Sequence, residues 1–290
     1  MTDSSSPSAP LLRLRDLQIE FGRRGESSTK AVKGVSLELQ RGEAIALVGE
    51  SGSGKSATAL ALARLLPEPP ASISAKEMSL NGRDILAMNA RELRAVRGKE
   101  IAYIFQEPTT SLNPVLTIRT QIAETLALHR PDVPKAQRDE EIIRWLDRVG
   151  IVQAAKRLHA YPHELSGGMQ QRVMIAMALC AQPGLLIADE PTTALDVTIQ
   201  KQIMTLLAQL RRDLNMGLIL ITHNLGIIRD VVDRVAVMFR GEIVETGPVD
   251  EILRNPQHAY TKALLACVPR MGAKQARLST IDHAALGAGQ

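Results

Sequence analysis

The feature that most constrains this chain is a glycine-rich segment that directly follows the apolar run Ala44 to Val48. It has the pattern G-x-x-x-x-G-K-S, and a helix-like run begins at Ala57. The segment consists of Gly49, Glu50, Ser51, Gly52, Ser53, Gly54, Lys55 and Ser56. Glycines let a backbone fold into a concavity lined by N–H groups, and a following helix adds the positive end of its dipole. The order of strand, loop and helix therefore predicts a phosphate-binding loop, in which Lys55 contacts the β- and γ-phosphates and Ser56 ligates Mg²⁺.

The composition is that of a globular chain large enough to bury a full core. Of its 290 residues, 45% are hydrophobic and 23% are charged, and the aromatic residues are limited to 1 Trp, 3 Tyr and 3 Phe. So few aromatic residues argue against a protein that binds nucleic acid by stacking on bases. The net charge of +4 is not concentrated in a long basic tract and indicates ordinary surface charge. We therefore expect no nucleic-acid partner.

The terminal segments and the two cysteines indicate the cellular compartment. Residues 1–10 are rich in Ser and Pro without an apolar core, which predicts a disordered leader and not a signal peptide. Cys180 and Cys267 are the only cysteines and form no C-x-x-C pair, which is typical of a reducing compartment. No run approaches 18 apolar residues, so we expect no membrane span. Residues 272–290 are rich in Ala and Gly and are expected to form a poorly ordered tail.

Hydrophobic periodicity predicts an α/β fold with three parts. Residues 11–20 and 35–39 alternate apolar and polar side chains, which predicts half-buried antiparallel strands. Short apolar runs suit the inner strands of a parallel core sheet; they are Ala44–Val48, Ile101–Phe105, Leu185–Ala188 and Leu218–Ile221. Residues 118–159 have helical periodicity and no strand-like run, which predicts an inserted helical subdomain. Residues 198–214 predict a helix with one buried face, and residues 235–245 a closing hairpin.

The apolar run at Leu185 ends in two adjacent acids, Asp189 and Glu190. Because successive side chains of a strand point to opposite faces, the two carboxylates can serve different purposes. Asp189 suits the Mg²⁺ shell, and Glu190 suits the role of general base toward an attacking water. Taken alone, two acids after a strand are equally consistent with a solvated strand end.

A second glycine-containing segment opens a helix-like run and consists of Leu165, Ser166, Gly167, Gly168 and Met169. Here the sequence resembles the ATP-binding cassette (ABC) family, whose signature is usually LSGGQ. The resemblance implies that Ser166 and the glycine amides contact the γ-phosphate of ATP held by a partner subunit, and donors at a helix N-terminus suit an anion. Met169 replaces the usual Gln. The alternative is a simple Ser-Gly helix cap.

The resemblance places the remaining family positions one by one. Gln106 matches the glutamine that touches Mg²⁺ and the attacking water, and His223 matches the switch histidine near the γ-phosphate. Asp196 matches an aspartate that bridges two subunits, although it also suits a helix N-cap. Asn224 stands where the family commonly has Asp. Phe21 is the candidate for stacking on adenine, or else a core residue at a strand end.

Within this family the chain is most similar to ATPase subunits of oligopeptide, dipeptide, glutathione and nickel importers. The segments that carry this likeness are Ile104–Pro114, Tyr161–Arg172, Ala188–Asp196 and Asn255–Pro269. The resemblance implies a P-loop NTPase (RecA-like) fold over about residues 11–271, with the helical subdomain inserted at about 107–165. The chain resembles either a free single cassette or the first half of a double cassette. Because the Cys-rich segment of some relatives is absent, we expect no iron–sulfur cluster.

The resemblance also implies an activity and its partners. An ATPase with Mg²⁺ would dimerise through ATP with a second, identical or different, ABC ATPase. It would drive two transmembrane permease subunits fed by an extracytoplasmic solute-binding protein, from the cytoplasmic face of the bacterial inner membrane, where it would be peripheral. A soluble ABC ATPase acting on nucleic acid or ribosomes is the main alternative. A small-molecule kinase has no use for Ser166 to Gly168, and a noncatalytic binding module has none for Glu190 and His223.

Overall fold

The computed structural model of the chain describes residues 9–22, 28–106, 111–193 and 195–267. Two compact units make up the chain. The first combines the residues up to Leu86 with those from Leu220 onward, and the second is Ala87–Ile219. Residues 1–8 of the predicted leader, residues 107–110 of the predicted helical subdomain and Ala194 lie outside the described residues. The predicted tail also lies outside them.

Strands and helices both occur in the two units. In chain order, the described strands are β1 (Leu12–Phe21), β2 (Thr29–Leu39), β3 (Ala44–Val48), β4 (Ala71–Ser74), β5 (Glu77–Leu80), β6 (Arg83–Asp84), β7 (Ile101–Ile104), β8 (Leu185–Asp189), β9 (Gly217–Thr222), β10 (Arg234–Phe239) and β11 (Glu242–Pro248). The α-helices are α1 (Lys55–Leu62), α2 (Ala90–Val96), α3 (Ile118–His129), α4 (Arg138–Arg148), α5 (Ala154–Arg157), α6 (Gly167–Leu179), α7 (Val197–Leu214), α8 (Val249–Arg254) and α9 (Ala259–Ala266). Short 3₁₀ turns occupy Lys135–Gln137 and Pro162–Glu164.

An antiparallel sheet in the first unit confirms the predicted N-terminal β subdomain. Strand β1 pairs antiparallel with β2 on one side and with β4 and β5 on the other. Its residues Leu12, Leu14, Leu17 and Ile19 are buried. Burial alternates along the strand on either side of a register shift between Leu14 and Leu17. The sequence analysis did not predict β4, β5 or β6, which are too short to show a clear alternation.

The first unit also holds β3, which precedes the glycine-rich segment. All five residues of β3 are buried, and β3 runs parallel to β10 in the register Ile45↔Arg234 to Val48↔Val237. Strands β10 and β11 form the predicted antiparallel hairpin. Its turn is made by Arg240 and Gly241, whose φ values are 49° and 90°. The hairpin therefore brings the C-terminal region of the chain beside β3.

The second unit combines parallel strands with helices. Strands β7 and β8 pair in parallel, with Ile101 opposite Leu185 and Ile104 opposite Ala188. Between them α3, α4 and α5 confirm the helical character predicted for residues 118–159. Helix α7 buries one face, which includes Ile203, Leu207 and Leu210. Across the described ranges, no helix is both long and apolar enough to span a membrane.

Candidate nucleotide site

The glycine-rich segment lies in the first unit, between the last residue of β3 and the first of α1. Gly49 is required by a close approach, because a Cβ there would lie 2.1 Å from the carbonyl oxygen of Met238 in β10. Gly54, the residue before α1, has φ of 102°, which side chains other than glycine rarely adopt. The local fold is thus the strand, loop and helix predicted from the sequence.

Lys55 is turned into the loop that precedes it. Its Nζ donates to the carbonyl oxygens of Gly49 and Glu50, at 2.8 and 2.7 Å, and lies 3.3 Å from Ser53 Oγ. The residue is only 6% exposed. A buried ammonium group needs oxygen acceptors around it, and phosphate oxygens are acceptors of the same kind.

The loop exposes its tip and its last residue to solvent. Ser51, Gly52 and Ser56 are exposed, while Ser53 is buried. Ser56 lies in the first turn of α1, beside Ala57. The hydroxyl of Ser56 is therefore accessible to an ion or ligand approaching the helix N-terminus.

Two further predicted residues belong to the same unit. His223 directly follows β9 and is exposed. The turn after it is held by Asn224, whose N–H donates to Thr222 Oγ1 at 3.0 Å and whose Oδ1 accepts from the Gly226 N–H at 3.0 Å. Asn224 thus serves a local structural role at the position where the family commonly has Asp. Phe21 is the last residue of β1 and is half-buried.

Asp189 lies in the second unit, at the end of β8, and is 8% exposed. The hydroxyl of Tyr103 in β7 donates to its Oδ2 at 2.8 Å. Burial, together with the Asp189 charge and this hydrogen bond, raises the pKa of Tyr103, so the hydroxyl stays protonated and remains a donor. The Tyr103 ring also contacts that of Phe105, with centroids 4.5 Å apart.

Glu190 and Gln106 are brought together in the second unit. Glu190 Oε2 accepts from Gln106 Nε2 at 3.1 Å and from Thr193 Oγ1 at 3.0 Å. The backbone of Glu190 has a φ of 46°, a left-handed conformation that costs about 1–2 kcal/mol for a residue other than glycine. That conformation begins a turn directly after β8, in which the Thr193 N–H donates to the Glu190 carbonyl oxygen at 3.1 Å.

The signature-like segment also belongs to the second unit. Ser166 is the N-cap of α6 and accepts from the Met169 N–H at 3.4 Å. Ser166 and Gly167 are exposed, Gly168 and Met169 are half-buried, and Leu165 is buried. The first turn of α6 therefore offers a hydroxyl and helix N–H groups to solvent, a geometry suited to an anion.

Asp196 caps the next helix in the same way. Its Oδ1 accepts from the Ile199 N–H at 2.9 Å, at the start of α7, which confirms the N-cap interpretation. The side chain of Ile199 packs against Gly168, where a Cβ would lie 3.0 Å from Ile199 Cγ2. The beginnings of α6 and α7 are thus neighbours within the second unit.

Three residues that the sequence analysis did not identify contact predicted site residues. Tyr103 contacts Asp189, Thr193 contacts Glu190, and the hydroxyl of Tyr260 accepts from the Glu50 N–H at 2.9 Å. A polar residue inside the apolar run at Ile101 was a signal for Tyr103. Nothing near Glu50 in the sequence signals Tyr260, because 210 residues separate the two.

Comparison with known proteins places the chain in a class. Residues 32–193 match the sequence model of the ABC transporter family, and residues 244–288 match that of the oligopeptide/dipeptide transporter C-terminal region. The first match covers more than half of the chain. The chain therefore belongs to the ABC transporter family, which confirms the resemblance found in its motifs.

Several curated relatives share half of their aligned residues with the chain. It is 54% identical to peptidoglycan transport ATP-binding protein YejF of Agrobacterium fabrum over 90% of its own length and 47% of the relative's. Identity is 51% to glutathione import ATP-binding protein GsiA of Escherichia coli K12, over 91% of this chain and 43% of that protein. It is 49% to oligopeptide transport ATP-binding protein OppD of Bacillus subtilis, over 90% and 72%. The chain thus spans about half the length of the first two relatives.

Solved structures confirm the predicted cassette fold. The dimeric ATP-binding cassette MJ0796 in a post-hydrolysis state bound to ADP and Pi matches with a TM-score of 0.72 and 27% identity, over 82% of this chain and 98% of that one. The cbiO1 subunit of the Clostridium perfringens ABC transporter complex cbiONQ matches with a TM-score of 0.70 and 25% identity, over 85% and 91%.

Proposed function

We propose that this chain binds ATP with Mg²⁺ and hydrolyses it as one ATPase subunit of a membrane importer for peptides or related small solutes. The observation that carries the proposal is the phosphate loop, in which a buried Lys55 is held by loop oxygens directly before the N-terminus of α1. Membership of the ABC transporter family supports the same conclusion.

ATP binding would use residues 49–57. Triphosphate oxygens would take over acceptor positions around Lys55 Nζ, and the first N–H groups of α1 would add donors that are not used within the helix. Phe21 would stack on the adenine, since its half-buried ring stands at the end of β1.

The donor chemistry of the chain fits Mg²⁺. Mg²⁺ prefers oxygen ligands and is usually held by one or two protein groups together with phosphates and water. Ser56 offers an exposed hydroxyl and Asp189 a carboxylate, and Gln106 offers the amide oxygen left over when its nitrogen donates to Glu190. A bound Mg²⁺ would neutralise negative charge on the phosphates. No cluster of three or more His, Cys, Asp or Glu side chains suited to a metal occurs in the ranges that the structure describes.

Hydrolysis would depend on Glu190 as general base. Its carboxylate is oriented by hydrogen bonds from Gln106 and Thr193, so it is held in one direction at the end of β8. His223 would contact the γ-phosphate and help to position the water. These roles require the proton of the attacking water to pass to a carboxylate oxygen of Glu190.

Dimerisation would complete two sites. Ser166, Gly167 and the N–H groups of α6 would contact the γ-phosphate bound by a second cassette, with Leu165 and Met169 flanking them and Asp196 at the seam. Their exposure at a helix N-terminus supports this role. The dimeric form of the structural neighbour MJ0796 supports it too.

Transport would link this ATPase to other polypeptides. We propose two permease subunits, a second cassette, and a solute-binding protein on the far side of the membrane, with this chain peripheral at the cytoplasmic face of the bacterial inner membrane. The names of the relatives, which concern peptidoglycan, glutathione and oligopeptide transport, support a peptide-like solute. The cassette would run over residues 11–271, with its helical subdomain at about 107–165.

The proposal is tested by ATP hydrolysis and by co-purification. Glu190→Gln should keep ATP affinity but slow turnover by about a hundredfold or more, the usual contribution of a general base. Glu242→Gln, at an exposed glutamate of β11, is the matched control and should hydrolyse ATP at the rate of the unmodified chain. Near-normal turnover by Glu190→Gln would remove Glu190 from the role. Detergent extracts should yield the chain together with two multi-span membrane proteins, and their absence would contradict the importer assignment.

A further inference from the structure

The phosphate loop is held by a side chain from near the end of the described chain. The N–H of Glu50 donates to the hydroxyl of Tyr260 in α9 at 2.9 Å. Tyr260 is fully buried, and its ring stacks on Phe239 of β10 with centroids 4.1 Å apart. Because Tyr260 lies within residues 244–288, the contact joins the phosphate loop to the region that matches the oligopeptide/dipeptide transporter C-terminal model.

Glu50 is the residue through which this contact reaches Lys55. The carbonyl oxygen of Glu50 accepts from Lys55 Nζ at 2.7 Å and from the Ser53 N–H at 3.2 Å. The backbone groups of Glu50 therefore face in two directions, with the N–H bound to Tyr260 of α9 and the carbonyl oxygen organising the loop. The Glu50 side chain also hydrogen-bonds with Tyr260. A displacement of Glu50 would move the acceptor that orients the lysine.

Helix α9 is itself fixed where Tyr260 needs it. The carboxylate of Glu245 in β11 accepts from the N–H groups of Gln257 and His258, at 2.7 and 3.1 Å. His258 is the N-cap of α9, and its Nδ1 accepts from the Tyr260 N–H at 3.1 Å. The Tyr260 hydroxyl is thus placed by a chain of hydrogen bonds that starts at the β10–β11 hairpin.

A second contact ties the same hairpin to the loop. The N–H of Gly241, in the turn between β10 and β11, donates to the Ser53 carbonyl oxygen at 3.0 Å. Two points of the loop are therefore attached to the C-terminal part of the first unit. The attachment through Tyr260 is the one made by a side chain, so it can be removed by a substitution that spares the backbone.

We propose that Tyr260 is a positioning residue for the nucleotide site, which holds Glu50 so that the loop is ordered to receive phosphate before nucleotide arrives. The inference rests on the proposed function, because it assigns a residue to the same site. A loop that is already ordered loses less conformational entropy when ligand binds. We therefore expect the effect on affinity and not on the chemical step. The C-terminal region would in this way set how tightly the cassette holds nucleotide.

The test compares Tyr260→Phe with two controls in the full chain. Tyr260→Phe keeps the ring on Phe239 and removes the hydroxyl that accepts from the Glu50 N–H and hydrogen-bonds with the Glu50 side chain. We expect it to weaken binding of ADP and of ATP with Mg²⁺ by about fivefold or more, the size expected when a buried hydroxyl and its hydrogen bonds are lost, with kcat at saturating ATP within about twofold. Tyr161→Phe makes the same change at a 39% exposed tyrosine, and Ile252→Val shortens a buried side chain of α8. Both controls should bind nucleotide like the unmodified chain.

Each result of these measurements supports or overturns the role of Tyr260. Weaker binding by Tyr260→Phe alone supports the proposal, whereas unchanged affinity, or equal weakening by Ile252→Val, overturns it. If Tyr260→Phe fails to fold, amide hydrogen exchange on the unmodified chain replaces it. The Glu50 N–H should then exchange as slowly as a hydrogen-bonded amide, and fast exchange overturns the proposal. Failure of the unmodified chain to bind nucleotide would instead contradict the proposed function itself.

Discussion

At the scale of single residues, the acidic side chains of the candidate site are oriented by hydrogen bonds from neighbouring side chains. Asp189 and Glu190 are adjacent in sequence, yet each is held by a different donor: the hydroxyl of Tyr103 for the first, and Gln106 with Thr193 for the second. Hydrogen bonds from neighbouring donors fix the direction of a carboxylate. The two acids thus have different hydrogen-bond donors, which fits the two different roles proposed for them.

Removing the Tyr103 hydroxyl should lower the affinity of the site for a divalent metal ion. Tyr103→Phe leaves the ring beside Phe105 but deprives Asp189 of a donor, so we expect Mn²⁺ affinity in the presence of ADP to fall by about tenfold. Electron paramagnetic resonance titration of Mn²⁺ measures this directly. Tyr161→Phe is the control, and ADP affinity without metal should not change in either variant. Equal Mn²⁺ affinity in Tyr103→Phe and the unmodified chain would show that the hydroxyl does not orient Asp189.

At the scale of elements, polar side chains at the ends of helices determine where the helices begin and how one of them packs. Ser166, Asp196 and Asn89 each accept hydrogen bonds at a helix N-terminus, and Asn89 forms a full capping box with Glu92. His129 is the last residue of α3. Its imidazole lies against Gly98, where a Cβ would be 2.4 Å from His129 Nε2. Gly98 also has a φ of 81°, so both its backbone conformation and the nearby imidazole require glycine.

His129 should make the second unit sensitive to acid. Burial and the nearby charge of Lys99 lower its pKa from the ordinary value of 6.5. Between the lowered pKa and 6.5 the unfolded chain binds more protons than the folded chain, so the free energy of unfolding falls as the pH drops through this window. Chemical denaturation at several pH values should show this loss, and His129→Gln should reduce it. Leu128→Gln, at an exposed residue of α3, should retain the full dependence, and an unaltered slope in His129→Gln would refute the assignment.

At the scale of the whole molecule, the chain contributes one copy of each nucleotide-binding motif. A phosphate loop with Lys55 and a signature with Ser166 occur once each in the sequence, in separate units. In the proposed dimer, each would complete a site with the complementary motif of a second cassette. Closing on ATP and opening after hydrolysis would then be a shift between two arrangements driven by the ligand.

A large cation at the signature should prevent this assembly without affecting the loop. Ser166→Arg in an otherwise hydrolysis-deficient Glu190→Gln chain should bind ATP with unchanged affinity but remain monomeric at saturating ATP, because the side chain would occupy the space of the partner's phosphate. Analytical ultracentrifugation gives the readout. Thr205→Arg, on an exposed position of α7, adds the same charge elsewhere and should still dimerise. A dimer of Ser166→Arg at saturating ATP would exclude a signature role in trans.

Much of this organisation was predictable because local patterns carry it. The phosphate loop needs only contiguous residues between a strand and a helix, and strands such as β3 and β8 are indicated by short apolar runs. The hairpin of β10 and β11 and the helical region after Ile118 were predictable for the same reason. Strands β4 to β6 were not, since segments of two to four residues show too little alternation to be distinguished from loops.

The amino-acid sequence by itself determined the main strands and helices, the glycine-rich loop between β3 and α1, and membership of the ABC transporter family. Each of these depends on neighbouring residues or on a motif of fixed spacing. Only the tertiary structure decided which distant groups meet. The Tyr260 hydroxyl reaches Glu50, and the Tyr103 hydroxyl reaches Asp189, because strand pairing and helix packing bring together residues that are remote in the chain. A hydrogen bond requires a distance of about 3 Å and a direction, and neither is recorded in the identity of residues far apart in sequence.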